Sequence, residues 1–360
     1  MAALLAMALI PATLTTATAA DAPSSAAAVV PPVTIGVQTD DAQKVRDFWT
    51  PARVKRALAN EEADNGLVVR KVEEPAGLAT GTAKTGSPGL KAEADPVFPA
   101  GDNPMALAAA LPEMPVAQKV PFPQSQPFVV AGKILYTDKD GNEGGCSGAS
   151  IVSDTGNTVW TAGHCVHPGD GTGPEGFYEK ITFMPGFKKN DQVPDGYDAP
   201  WGKWVATKKV APVKWTADRD SKDADMAAFN VSVPTGYTSL TAAVGALGYR
   251  FGDGSDFPDV FSSGFPGEGY NRTDMDGFTH FYCTGNAEDA FDWNPLDDRV
   301  KIDCDMGRGA SGGPIFTTEA QIISANSHYE SEDGVTRLND DLFGSEHGDQ
   351  AVGVINEINN

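Results

Sequence analysis

The chain has 360 residues, 41% of them apolar and 21% charged, so it is long enough to bury one large core or two ordinary ones, and wholesale disorder is excluded. Its net charge of -22, from 49 acids against 27 bases, repels phosphate backbones and disfavours nucleic acid as a partner. No apolar run reaches the roughly 18–20 residues of a membrane span, and 39 glycines with 26 prolines point to short strands and many turns.

Residues 1–20 read as a secretory signal peptide. Ala2 to Ile10 has the length of an apolar h-region, and Ala17-Thr18-Ala19 is a small-x-small cleavage pattern, although no Lys or Arg precedes the run. Residues 21–122 are expected to be a mostly disordered pro-segment. They contain no cysteine, and stretches such as Val29-Val30-Pro31-Pro32 and Gly77–Gly89 cannot pack a core by themselves. One island there, Asp47 to Leu58, carries a helix start, with Thr50 as N-cap and Pro51 in the first position. Residues 1–120 hold 13 acids and 10 bases, and residues 121–360 hold 36 and 17, so the acidity belongs to the presumed mature part and suits solubility outside a cell.

Short β-branched or aromatic runs follow. They lie at 128–130, 133–136, 150–153, 158–161, 180–183, 203–206, 226–231, 242–247, 277–282, 300–302, 314–317 and 321–325, and Gly, Pro, Asp and Asn clusters separate them. This is an all-β pattern, too long for one small barrel and sufficient for two, at 123–236 and 237–360. Only the end has helical period. Ala351, Val354, Ile355 and Ile358 form one stripe, with Asp349 placed to cap it. The four cysteines, Cys146, Cys165, Cys283 and Cys304, are widely spaced with no C-x-x-C pair, which favours two disulfides in an oxidising compartment over a zinc ribbon.

Three strings carry chemistry: Thr161-Ala162-Gly163-His164-Cys165, Asp223-Ala224-Asp225-Met226, and Gly307-Arg308-Gly309-Ala310-Ser311-Gly312-Gly313-Pro314. A serine hydroxyl is a poor nucleophile until a neutral imidazole takes its proton. A buried carboxylate on the other ring nitrogen fixes the tautomer and stabilises the imidazolium that forms. Glycines beside the serine let backbone N–H groups, here those of Gly309 and Ser311, face a developing oxyanion. His164 with His167 has no third ligand nearby, so no metal and no cofactor are expected. His280 and His347 read as surface or packing residues.

These strings resemble the chymotrypsin/trypsin-like serine peptidases, in particular the secreted bacterial and fungal branch near the glutamyl endopeptidases. The likeness extends from about Lys133 through Met184–Phe187, Trp201–Trp215, Gly264-Phe265-Pro266 and Tyr282–Gly285 to the terminal helix. It implies two perpendicular six-stranded β-barrels followed by that helix, and an exported endopeptidase that acts as a monomer on peptides or proteins. It also implies His164 as base, Asp225 as orienting carboxylate, Ser311 as nucleophile and a Cys146–Cys165 disulfide, which leaves Cys283 with Cys304. Asp223 and Asp220 lie close by, but only Asp225 directly precedes an apolar strand. Ala310 stands where many animal relatives have the aspartate that pairs with a new N-terminus, so processing near 120–126 would unblock the site without that ion pair. Asp305 lies six residues before Ser311, where trypsins carry a pocket carboxylate. Ser327 matches the serine supporting the triad aspartate, and His328 resembles the pocket histidine of glutamyl endopeptidases, shifted by two positions. The resemblance therefore leaves basic and acidic or other side chains open for the substrate-binding pocket. A catalytically silent binding module and an esterase with the same triad are the rival readings. The order His, Asp, Ser is not that of α/β-hydrolases.

Overall fold

A computed structural model describes residues 29–60, 68–70, 89–99, 112–290, 297, 299–334 and 336–360. The expected signal peptide lies outside them. Six antiparallel strands close the first barrel: Ala131–Thr137, Glu143–Ile151, Thr158–Thr161, Glu179–Pro185, Trp204–Pro212 and Ala227–Ser232. Asp138 accepts the N–H groups of Asp140 and Asn142 in the first hairpin turn, as Asx chemistry favours. Closure comes where Trp204 and Val205 pair with Phe183 and Thr182. Ile134, Trp160, Phe183, Trp204 and Phe229, all at most 1% exposed, fill the interior.

The second sheet runs Asp341–Gly344, Val300–Asp303, Phe281–Asp289, Phe257–Gly264, Pro314–Thr317, Gln321–Ala325 and Gly248–Phe251. An antiparallel bridge between His328 and Phe343 ties its first strand back to the segment after Ala325. Disulfides join Cys146 to Cys165 and Cys283 to Cys304. The architecture is chymotrypsin-like, with a terminal helix, Asp349–Asn359, whose Ala351, Val354, Ile355 and Ile358 stripe is buried as its period predicts. Asp349 does not cap that helix: Gly348 holds the cap position, and the Asp349 carboxylate instead accepts the Leu90 N–H. Residues 242–244, expected within a strand at 242–247, instead belong to a short helix, Leu240–Val244. Ser239 caps it through the Ala242 N–H, and Gly245 ends it at φ +79°. A five-residue apolar run fits either element, and its capping residues decide.

The segment at 29–60 has no core of its own, as its composition predicts, and uses that of the barrel instead. Val33–Val37 adds an outer strand along Lys208–Pro212. Helices Ala42–Phe48 and Pro51–Asn60 cover the barrel flank, the second starting at Thr50, whose Oγ1 accepts the Arg53 N–H. Trp49, fully buried, packs in one cluster with Leu135, Met184, Phe187 and Phe265, and its Nε1–H donates to the Lys180 carbonyl at 2.8 Å. The buried Glu143 carboxylate pairs with Arg53 and Arg56. Further on, Met114–Lys119 pairs with Phe281–Asp289, and Val68–Arg70 runs parallel to Tyr329–Ser331. Among the described residues no helix is long and apolar enough to cross a membrane.

Candidate active site

The strand Thr158–Thr161 delivers the chain into a single tight turn, Gly163–Cys165, that presents His164. Two bonds hold this residue to Asp225. Its Nδ1 lies 2.8 Å from Asp225 Oδ2, and its backbone N–H donates to Oδ1 at 2.8 Å. Asp225 lies two residues before the strand Ala227–Ser232, which pairs with Thr158–Thr161, so the sheet register brings the two together. The carboxylate is fully buried and also accepts the Ser327 hydroxyl hydrogen, while the Asp225 N–H donates to Ser345 Oγ. Burial pushes the Asp225 carboxyl up, but the adjacent imidazole and these hydrogen bonds outweigh it and hold the group below its ordinary value. His164 Nε2 is buried and has no hydrogen-bond partner among the described residues.

Ser311 enters from the second sheet. Its carbonyl accepts the Ser147 N–H at 2.7 Å, and Ser147 Oγ donates to the Gly309 carbonyl at 2.7 Å, so the serine turn is fastened to the first barrel. Gly312 makes this approach possible. A Cβ there would lie 2.0 Å from Thr161 Oγ1, three residues before His164, and its φ of +78° already excludes most side chains. Within the turn, the N–H groups of Ala310, Gly312 and Gly313 are spent on Gly307, Asn326 and Ala310 carbonyls. Those of Gly309 and Ser311 donate to no partner among the described residues, and Gly309 sits at φ +88°. Two unspent donors flanking a serine can receive an oxyanion. The Ser311 hydroxyl is not bonded to His164 in this state, as unliganded catalytic contacts often are not.

Beside Ser311 opens a shallow cleft lined by Arg308, Asn326, Ser327, His328, Tyr329 and Leu342 among others. Asp305 does not line it, in contrast to the sequence expectation. Its carboxylate accepts the Ala117 N–H at 2.8 Å and pairs with Arg272 at 2.9 Å. His328 lines the cleft, yet both its ring nitrogens have protein partners, Ser327 Oγ at 2.7 Å and Arg299 Nη1 at 2.9 Å. Burial, reinforced by the Arg299 charge, lowers His328 to about 3, so its ring is neutral. Ring nitrogens so engaged have no hydrogen left for a substrate carboxylate.

His167 spends both ring nitrogens on its own loop, at the Gly173 carbonyl and the Gly169 N–H. His280 is buried against Phe265, and His347 against Trp160. The sulfurs of Cys146 and Cys165 come within 4.8 Å of a His164 ring nitrogen, but in a disulfide neither is a thiolate ligand. Sequence reasoning missed Arg299, Ser345 and Ser147. Each acts through bonds to residues brought near by the fold, with no local motif to mark it.

No family model and no curated protein matches the chain. Solved structures do. A protease, Anisep, from Arthrobacter nicotinovorans is 26% identical with a TM-score of 0.55, covering 67% of this chain and 98% of its own. A thermostable serine protease, AL20, from an extremophilic microorganism is 24% identical at 0.51, covering 64% and 96%. A Glu endopeptidase is 18% identical at 0.51, covering 70% and 99%. The fold is therefore that of the chymotrypsin-like serine proteases.

Proposed function

We propose that this chain is a serine endopeptidase, made for export, that cleaves peptide bonds through an acyl-enzyme on Ser311. The observation that carries this reading is the double attachment of His164 to Asp225, with Nε2 unspent and two unspent N–H groups flanking Ser311. Ser311 Oγ attacks the scissile carbonyl while His164 Nε2 takes its proton. The oxyanion is received by the N–H groups of Gly309 and Ser311, and the imidazolium is balanced by Asp225. Collapse breaks the C–N bond as His164 returns the proton to the leaving amine. Water then repeats the sequence on the ester, giving the acid and restoring the serine. No cofactor or metal takes part in these steps.

The ion pair between Asp305 and Arg272, both in the part retained after processing, favours a non-basic first-site residue over lysine or arginine. Two disulfides accord with an oxidising, extracellular compartment. We assign residues 1–20 to a signal peptide and 21–122 to a pro-segment cut near 120–126. Val68–Arg70 now occupies the edge of Tyr329–Ser331, beside the cleft, where an extended substrate would add as a strand. The test is labelling with a fluorophosphonate, followed by cleavage of a peptide library. Label on Ser311 that disappears in Ser311→Ala, with peptide turnover, is the expected result. An unlabelled native protein would leave a binding module, and turnover of esters alone would leave an esterase.

A further inference from the structure

The Asp225 carboxylate is the near end of a longer chain of buried polar groups. Arg299, 4% exposed, is held by Asp297 through Nε and Nη2 at 2.7 and 2.8 Å and by Glu330 at 2.9 Å. Its remaining Nη1 meets His328 Nε2 at 2.9 Å, and the guanidinium lies 4.5 Å from the centroid of Phe343, on which the His328 ring also stacks. His328 Nδ1 lies 2.7 Å from Ser327 Oγ, which reaches Asp225 Oδ2.

The direction of every link follows from donor chemistry. A guanidinium only donates, so His328 Nε2 accepts. The hydrogen of the neutral ring is therefore on Nδ1 and points at Ser327 Oγ. That oxygen accepts it, which leaves its single hydrogen for Asp225. Without Arg299 the ring could take the other tautomer, and Ser327 could then donate to Nδ1 and abandon the carboxylate. Resting on the triad reading above, we infer that Arg299 and His328 are positioning residues: they set the His328 tautomer so that the Ser327 hydroxyl always donates to Asp225, which keeps that carboxylate aimed at His164. The charged and titratable groups around the ring are Arg299, Asp225, His164 and Asp297, with Lys222 bonded at 3.1 Å to the same Asp297 oxygen that holds Arg299 Nη2.

A double-mutant cycle tests this on the full chain. His328→Phe keeps the ring stack and removes both nitrogens, and Ser327→Ala removes the hydroxyl through which they act. Ser327→Ala is expected to lower kcat about tenfold with KM within about twofold, because its hydrogen bond to the charged Asp225 is lost, and His328→Phe is expected to lower kcat severalfold, because without the Nδ1–H donor the Ser327 hydroxyl is no longer held on Asp225. The double variant is expected to match Ser327→Ala, since His328 has no other route to Asp225. Multiplying losses in the double variant would overturn the proposal, as would a full-rate His328→Phe. If His328→Phe does not fold, His328→Leu, which also has no hydrogen-bonding group, replaces it in the same cycle with the same criterion. A native protein that takes no fluorophosphonate label refutes the triad reading itself. A labelled native protein with multiplying losses refutes only the positioning role.

Discussion

Replacing His347 by glutamine should remove a defined part of the acid sensitivity of the fold. His347 is 2% exposed and wedged between Trp160 and Phe251. Trp160 Nε1 can only donate, so His347 Nε2, 2.9 Å away, accepts, and Nδ1 donates to the Ser345 carbonyl at 3.0 Å. Protonation would set one N–H against another inside the core. Burial accordingly lowers His347 to about 4, the Ser345 carbonyl and the more distant Asp225 opposing it only in part. In the unfolded chain the ordinary value is about 6.5, so between these limits the unfolded state binds a proton that the folded state refuses. The contribution is intact above about pH 6.5, is lost as pH falls, and costs about 2 kcal/mol at pH 5 and about 3 kcal/mol once the pH is below 4. Glutamine keeps an acceptor for Trp160 and cannot charge. Urea unfolding followed by tryptophan fluorescence at pH 7.5 and about pH 5 should show His347→Gln losing about 2 kcal/mol less than the native chain over that interval. Equal losses in the two proteins would refute the argument. His280 and His328, each lowered to about 3 by burial, act with the same sign in both.

Two further outcomes follow from the packing and the site. Asp225→Asn preserves the shape of the buried group but lets the amide donate where the carboxylate accepted, favouring the wrong His164 tautomer. Steady-state assays should show kcat down by about 10⁴ with KM little changed, and a loss below tenfold would remove Asp225 from the proposed triad. Trp49→Ala empties a fully buried site under the Ala42–Asn60 helices and deprives the Lys180 carbonyl of its donor. Unfolding should become easier by about 3–5 kcal/mol, and a change under about 1 kcal/mol would mean that these helices do not belong to the stable body.

The parts legible in the sequence are those whose physics is local. The string around His164 and the glycines around Ser311 encode tight turns, and Gly309 and Gly312 adopt the positive φ that such turns require. The Ala351–Ile358 stripe and the Thr50-Pro51 start gave their helices because period and capping act within a few residues. At Leu240–Val244 the local apolar pattern was ambiguous, and the informative residues, Ser239 and Gly245, lay at its ends.

Burial partners are a different matter. Asp305 stands at a position that reads as a pocket acid, yet Arg272, 33 residues earlier, takes its carboxylate. Arg299 has no motif at all, and its tie to His328 exists because the strand around Phe343 returns between distant segments. The amino-acid order alone determined the proposed reacting groups and the all-β, two-part architecture with its final helix, since turn chemistry and side-chain periodicity are written in neighbouring residues. Three-dimensional packing alone decided which charges cancel, which imidazoles stay neutral and where the early segment docks. Those outcomes depend on the low-dielectric contact of chain stretches far apart in sequence, such as Ala117 with Asp305 at a separation of 188 residues.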